Sequence, residues 1–236
     1  MAEPTYIVGM EFVAGSFTNI SSDVLRFNIQ RQLATLYEPP SEGRALLELA
    51  NESAKFTPVN SQGQYYPNLI PGKQLRIQAT HSSSTYDLFL GKVDNFRVQP
   101  VLGARSVLVD ARDSMSRVTG TFITTSLFID INPSSLFTEV MSQAAVNSFA
   151  ADVLAERIPF AWYDNVRAEE VLRDVVEYGA YLLGEDASGT MRLRNRYFGL
   201  FATAANTFSS IGSDGFDQLN YGLGQTEILN RVRIEG

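Results

Sequence analysis

Residues 56–93 read FTPVNSQGQYYPNLIPGKQLRIQATHSSSTYDLFLGKV, and two kinds of order in this stretch decide the fold. Its first half is punctuated. Pro58 has no N–H and drives Thr57 into extended space, so the segment Phe56-Thr57-Pro58 leaves a strand rather than continuing one. Asn60, Ser61 and Gly63 supply turn chemistry, and Pro71-Gly72 suits the central positions of a type II turn. A stiff loop results, carrying Tyr65, Tyr66 and Ile70, which need a surface to pack on. The second half alternates. Leu75, Ile77 and Ala79 interleave with Gln74, Arg76 and Gln78, the period of a strand with one dry face. His81-Ser82-Ser83-Ser84 turns the chain, and Leu88 and Leu90 alternate with Asp87, Phe89 and Gly91 on the way back. The pattern predicts a β-hairpin with Leu88 and Leu90 on its dry side.

Outward from this stretch, residues 6–111 are strand-like almost throughout. Val24–Gln30 places Leu25, Phe27 and Ile29 on one face, and the next strand does the same with Ala45, Leu47 and Leu49. The loop Glu38-Pro39-Pro40-Ser41-Glu42-Gly43 separates them. Ser106–Ala111 adds Val107, Val109 and Ala111 in phase. Short strands divided by turn signals predict an antiparallel sandwich or barrel.

The character changes near Asp113. Thr121–Ile131 is apolar and β-branched, and two helical patterns follow. Leu136, Phe137, Val140, Met141, Ala144 and Ala145 recur at helical spacing behind Ser134 or Ser135 as cap. Ala168, Val171, Leu172, Val175, Val176 and Gly179 hold the i, i+3, i+4, i+7 pattern, with Asp164 or Asn165 as cap and Glu169-Glu170 at the positive end of the dipole. Trp162 precedes this helix and is expected to anchor it on its sheet. Tyr181–Leu183 and Thr190–Arg194 flank a six-residue turn as a further hairpin. Residues 198–224 lack periodicity, and Ile228–Ile234 reads as a last strand. The fold class expected is α+β, mainly β, with residues 1–115 as a β domain, 116–225 as a smaller α+β domain with two helices, and 226–236 as the start of a returning or further strand.

Composition removes many functions. The chain of 236 residues has no Cys and a single His. Thiolate nucleophiles, disulfides, iron–sulfur clusters, histidine triads and multi-histidine metal sites are therefore excluded. His81 lies in a serine-rich turn and reads as a solvated loop residue. Asp214-Gly215-Phe216-Asp217 has the wrong spacing for a calcium loop. Gly222 and Gly224 neither follow a strand nor open a helix, so they form no dinucleotide fingerprint. Asp164, Glu169 and Glu170 are explained by a helix start without acid/base chemistry. No cofactor and no enzymatic activity are expected. A formal charge of −7, with basic residues scattered, argues against sequence-specific nucleic-acid binding. The N-terminal sequence lacks the features of a signal peptide, and no apolar run reaches the roughly 18 residues of a membrane helix, so stable membrane insertion is not expected. Aromatic residues are plentiful, with 10 Tyr and 15 Phe; a surface row of them would suit sugar rings.

The order of motifs carries a resemblance. Phe56-x-Pro58-x-Asn60, Tyr66-Pro67-Asn68-Leu69-x-Pro71-Gly72, Leu75-Arg76-Ile77 and Leu88-Phe89-x-Gly91 follow an alternating strand that ends in Asn51. Ile158-Pro159-Phe160-Ala161-Trp162, Val171-Leu172-Arg173-Asp174-Val175 and Gly189-x-Met191-Arg192-Leu193 come later. Together they resemble the amino-terminal domain and helical insertion of bacteriophage tail-tip and baseplate hub proteins, over most of residues 20–195. The resemblance implies a tail-tube-like barrel or sandwich in a structural protein of the virion's distal tail, made in the host cytoplasm. It implies a hub ring, a homotrimer, that closes the tail tube and lets DNA pass through its lumen. The partners implied are other copies of the chain, the distal tail or tube protein, the tape-measure protein, and fibre or tip proteins. Hub chains carry two tube-like domains, whereas this sequence displays one. Binding of host-surface glycan through exposed aromatics is the alternative reading.

Overall fold

A computed structural model describes residues 3–31, 39–101 and 104–198, all within one unit, Ala2–Leu200. The first seven strands are β1 (Thr5–Val13), β2 (Ser16–Asn19), β3 (Val24–Gln30), β4 (Arg44–Ala50), β5 (Gln74–His81), β6 (Ser84–Val101) and β7 (Ala104–Arg112). They form one sheet in the order β2-β1-β5-β6-β7-β4-β3, antiparallel at every pairing. Its dry face supplies a single cluster that includes Met10, Leu47, Leu49, Leu75, Ile77, Phe89, Val107 and Val109. The chain is mainly β, as the alternation predicts.

Two strands differ in phase from the expectation, each because of a bulge. In the β5–β6 pair, Ile77 faces Phe89 but Gln78 faces Asp87, so Leu88 is the extra residue. Phe89, Gly91 and Val93 are buried as a result, while Leu88 and Leu90 are only half-buried. Directly opposed residues share a face, so Ile77 fixes Phe89 inside. In the β3–β4 pair, Val24 faces Leu49 and Arg26 faces Glu48. Leu25 is the residue left over, 61% exposed, and Val24 packs on the core in its place. One added residue reverses the side every later residue takes, and composition does not reveal where it sits. The β5–β6 turn is the two-residue loop Ser82-Ser83, both with positive φ, as a type I′ hairpin requires.

Residues 51–72 form a staircase of turns. The N–H groups of Ala54, Thr57, Asn60, Gly63 and Tyr66 each donate to the carbonyl three residues back. Phe56 therefore lies inside this loop rather than at a strand end, and it is fully buried. The buried Asn51 holds the start of the loop, accepting the Phe56 N–H at 2.9 Å and donating to Thr57 Oγ1 at 2.9 Å. Tyr65 stacks on Phe12 of β1, with ring centroids 3.9 Å apart. The loop thus caps the dry face of its own sheet.

The remainder is built on a second cluster of buried residues running from Met115 to Leu193. It comprises α1 (Met115–Thr119), β8 (Phe122–Ile123), β9 (Phe128–Ile131), α2 (Pro133–Gln143), β10 (Phe149–Ala151), β11 (Ile158–Ala161), β12 (Val166–Arg167), α3 (Ala168–Gly179), β13 (Leu182–Glu185) and β14 (Met191–Arg194). The described residues therefore hold a third, one-turn helix beside the two expected. β13 and β14 form the expected hairpin, and β10 joins β14 in parallel.

Both helix starts differ from expectation. The cap of α2 is Asn132, whose side chain accepts from Ser134 N–H, with Pro133 at the first helical position. Ala145, expected on the buried helical face, is instead an exposed residue with φ 52° just past the end. The cap of α3 is Arg167 without a side-chain hydrogen bond. Here β12 intervenes between Asn165 and the helix, and the Ala168 N–H donates to the Thr121 carbonyl instead. The apolar face of α3 is as expected: Val171, Leu172, Val175 and Val176 are fully buried. Gly179 belongs to it for a steric reason, since a Cβ there would lie 2.1 Å from the Tyr181 ring.

Candidate functional site

The residues singled out by the sequence motifs divide into two groups. Phe56, Phe89 and Leu172 are fully buried, and Asn60 is occupied inside its loop, donating to the Ala54 carbonyl and accepting from Gln62 N–H. Gly91 is also an internal requirement, because a Cβ there would meet the Arg112 carbonyl oxygen at 2.4 Å. Arg76 lays its guanidinium over the Phe17 ring at 4.4 Å. Pro58 is half-buried, whereas Tyr66, Pro67, Ile70, Pro71 and Gly72 are exposed on the loop. Gly72 has φ +87°, as the second central residue of a type II turn requires.

Trp162 is the main correction. It is 62% exposed rather than packed beneath α3. Its neighbours take the anchoring role: Ala161 is buried, and Tyr163 reaches Asp174 of α3 with its hydroxyl at 3.0 Å. The Tyr163 carbonyl accepts the Thr125 N–H, and its own N–H donates to Thr125 Oγ1. Alternation then sends Trp162 outward.

Trp162 is not alone there. In the two-stranded β9–β11 sheet, Phe160 pairs with Ile129 and Ala161 with Phe128. Phe128 and Ala161 face the core, so Phe160 (71% exposed) and Ile129 (67% exposed) face out. Leu127 and Trp162 continue those two rows, both more than half exposed. The φ of 54° at Asp130 breaks the alternation, and beyond it Ile131 and Ile158 pack on the core. Four large apolar side chains therefore share one outward face. Such a contiguous patch is the usual mark of an interaction surface.

The polar cluster that departs most from ordinary behaviour joins the two halves. Asp113 accepts from Gly43 N–H at 2.8 Å and Met115 N–H at 3.1 Å. Glu185 Oε2 accepts from Ser114 N–H at 2.8 Å, and its Oε1 is buried without a hydrogen bond. Arg31 donates to the carbonyls of Glu185 and Asp186. Burial first, and the Asp113 charge second, push the Glu185 carboxyl up to about 8; burial also raises Asp113. A carboxylic acid that keeps its proton near neutrality is a feature of acid/base sites, but here each carboxyl holds backbone N–H groups and so ties the β7–α1 corner to its neighbours. Among the described residues, no group of three or more His, Asp or Glu is placed to hold a metal. Asn51, the end of its alternating strand, and Gly43, in its proline-containing loop, carry a local sequence signal, whereas Glu185 carries none; a Cβ at Gly43 would lie 2.4 Å from Asp113 Oδ2.

No family model and no curated protein matches this sequence. Solved structures do match. A 43 kDa tail protein of prophage MuSo2 from Shewanella oneidensis superposes with a TM-score of 0.55 at 12% identity, over 81% of this chain and 53% of that one. A tail protein from Neisseria meningitidis MC58 gives 0.52 at 8% identity, over 80% of this chain and 50% of that one. The chain has the fold of phage tail proteins. An E. coli protein, a component of the type VI secretion system with structural similarity to the T4 tail proteins gp27 and gp5, shares this tail-protein fold with a TM-score of 0.53 at 10% identity, over 80% of this chain and 48% of that one. The chain spans about half the length of these three structures. At such low identity the likeness is one of fold.

Proposed function

We propose that this chain is a structural component of the phage tail tip, a hub that closes the distal end of the tail tube. It works as a homotrimeric ring joined to tube, tape-measure and fibre or tip proteins, with DNA passing through its lumen. Its place is the distal tail of the virion, after synthesis in the host cytoplasm. One observation carries the reading: the tail-protein fold covers about four-fifths of the chain. The division near Met115 into a tube-like domain and an α+β insertion is supported by the two separate core clusters. Assembly is supported by the outward face of Leu127, Ile129, Phe160 and Trp162, which a solitary chain leaves in water. Its work is done by surfaces rather than by catalysis.

Native mass spectrometry of the purified chain, with immunolabelling of intact particles, tests this reading. A trimer, and label at the tail tip, are expected. A monomer at micromolar concentration that is also missing from particles overturns it. The exposed rings of Phe160 and Trp162 favour a second reading, a glycan-binding receptor module of the tail. Glycan-array binding lost in Trp162→Ala, in a chain that stays monomeric, would replace the hub with that reading.

A further inference from the structure

A cleft of about 420 Å³ opens beside the β6–β7 hairpin, and α1 lies on its other side. Two cations face it with no carboxylate bonded to either among the described residues. Lys92, on β6, is half-buried, and its ammonium makes no hydrogen bond or ion pair among the described residues. Arg117, on α1, is held by the Ala145 carbonyl and has no carboxylate partner. Burial lowers the Lys92 pKa, and the Arg117 charge lowers it further; Glu11 offsets this in part, its carboxylate accepting from Gly15 and Gln74 N–H. The other charges lining the cleft are already committed. Arg112 is bonded to Asp94 and Glu42. Asp113 has both oxygens on backbone N–H groups.

Two like charges in a partly desolvated cleft are unfavourable unless an anion joins them. Its lining states which anion. Leu90, half-buried, and Pro71, exposed, give the walls an apolar part, which fits the aliphatic stem of an acidic side chain better than a bare phosphate. A net charge of −7 also disfavours approach by a polyanion such as DNA, whereas a short peptide meets mainly the local field. We propose that this cleft receives an acidic peptide segment of a neighbouring protein, seating one carboxylate between Lys92 and Arg117.

The test uses the whole chain and fluorescein-labelled hexaglutamate, with hexaglutamine as the uncharged control. Anisotropy titrations are run on the parent, on Lys92→Gln/Arg117→Gln, and on Arg157→Gln, whose cation is paired with Asp130 on β9. Hexaglutamate is expected to bind the parent, to lose about tenfold or more in affinity in the double variant, and to bind Arg157→Gln nearly as the parent. Equal loss in both variants, or equal binding of hexaglutamine, overturns the proposal. Displacement by inorganic phosphate or a DNA duplex at lower concentration than hexaglutamate overturns the peptide assignment. Should the double variant not fold, NMR titration of the Lys92 ammonium in the parent decides. Its pKa rises when hexaglutamate is bound; an unmoved value overturns the proposal.

Discussion

Phe56 and Trp162 both stand near a proline in aromatic, strand-like sequence, yet the molecule treats them in opposite ways. Phe56 sits in irregular backbone and is fully buried; Trp162 follows a regular strand and is mostly in water. Regularity and burial are therefore separate properties. The irregular loop at residues 51–72 satisfies its own backbone by successive turns and can lie on the sheet's dry face. The β9–β11 ladder has its backbone satisfied as well, but with only two strands it can bury one face alone. Its other face, with Ile129 and Phe160, is left in water.

The comparison breaks first in the core beneath that ladder. Leu172 is fully buried on α3, so Leu172→Asp is expected to cost about 4 kcal/mol or more and to unfold the α+β part. Thermal melts followed by circular dichroism check this, and a variant that melts with the parent removes α3 from the core. Phe56→Ala comes next. It opens a cavity beneath Tyr65, whose ring lies 5.2 Å from that of Phe56, and is expected to cost about 3–5 kcal/mol in urea unfolding.

Glu185 gives a dependence on pH. Its carboxyl is raised from 4.5 to about 8, so the folded chain keeps a proton that the unfolded chain releases. Stability from this group is full below about pH 4.5 and is lost as pH rises through 8. On the order of a few kcal/mol is at stake. Urea unfolding at pH 5 and pH 8.5 is expected to show the loss, and Glu185→Gln to flatten it. A parent whose stability rises across that interval would mean that Glu185 is ionised beside Arg31.

Sequence made the strands and the α3 stripe legible because both depend on local periodicity. Leu47 and Val109 were placed by alternation, and Val171 and Leu172 by helical spacing. Bulges were not legible: the extra residues Leu25 and Leu88 are ordinary apolar residues, and only pairing distinguishes them. Helix caps were off by two or three residues because β12 and Asn132 compete for the same segment. The outward face of Trp162 is not legible for a related reason. A large aromatic residue before a helix has an apolar reason to go inward, and the outward turn of Trp162 is set by Ala161 and Tyr163, which occupy the inner positions first. Gly43 and Glu185 meet Asp113 across long sequence separations, so no window along the chain displays them together.

The smallest effect on stability separates the two aromatic sets most sharply. Trp162→Ala removes a side chain that lies mainly in water, so unfolding of the isolated chain is expected to change by about 0.5 kcal/mol or less. The same change should act strongly on assembly if the β9–β11 face meets another subunit, because large aromatics in buried interfaces account for about 2 kcal/mol or more each, roughly thirtyfold in association. Sedimentation velocity at a series of concentrations, on Trp162→Ala and on Phe160→Ala, reads this directly. Dissociation at unchanged melting temperature assigns the face to subunit contact. Unchanged assembly in both variants removes the face from subunit contact.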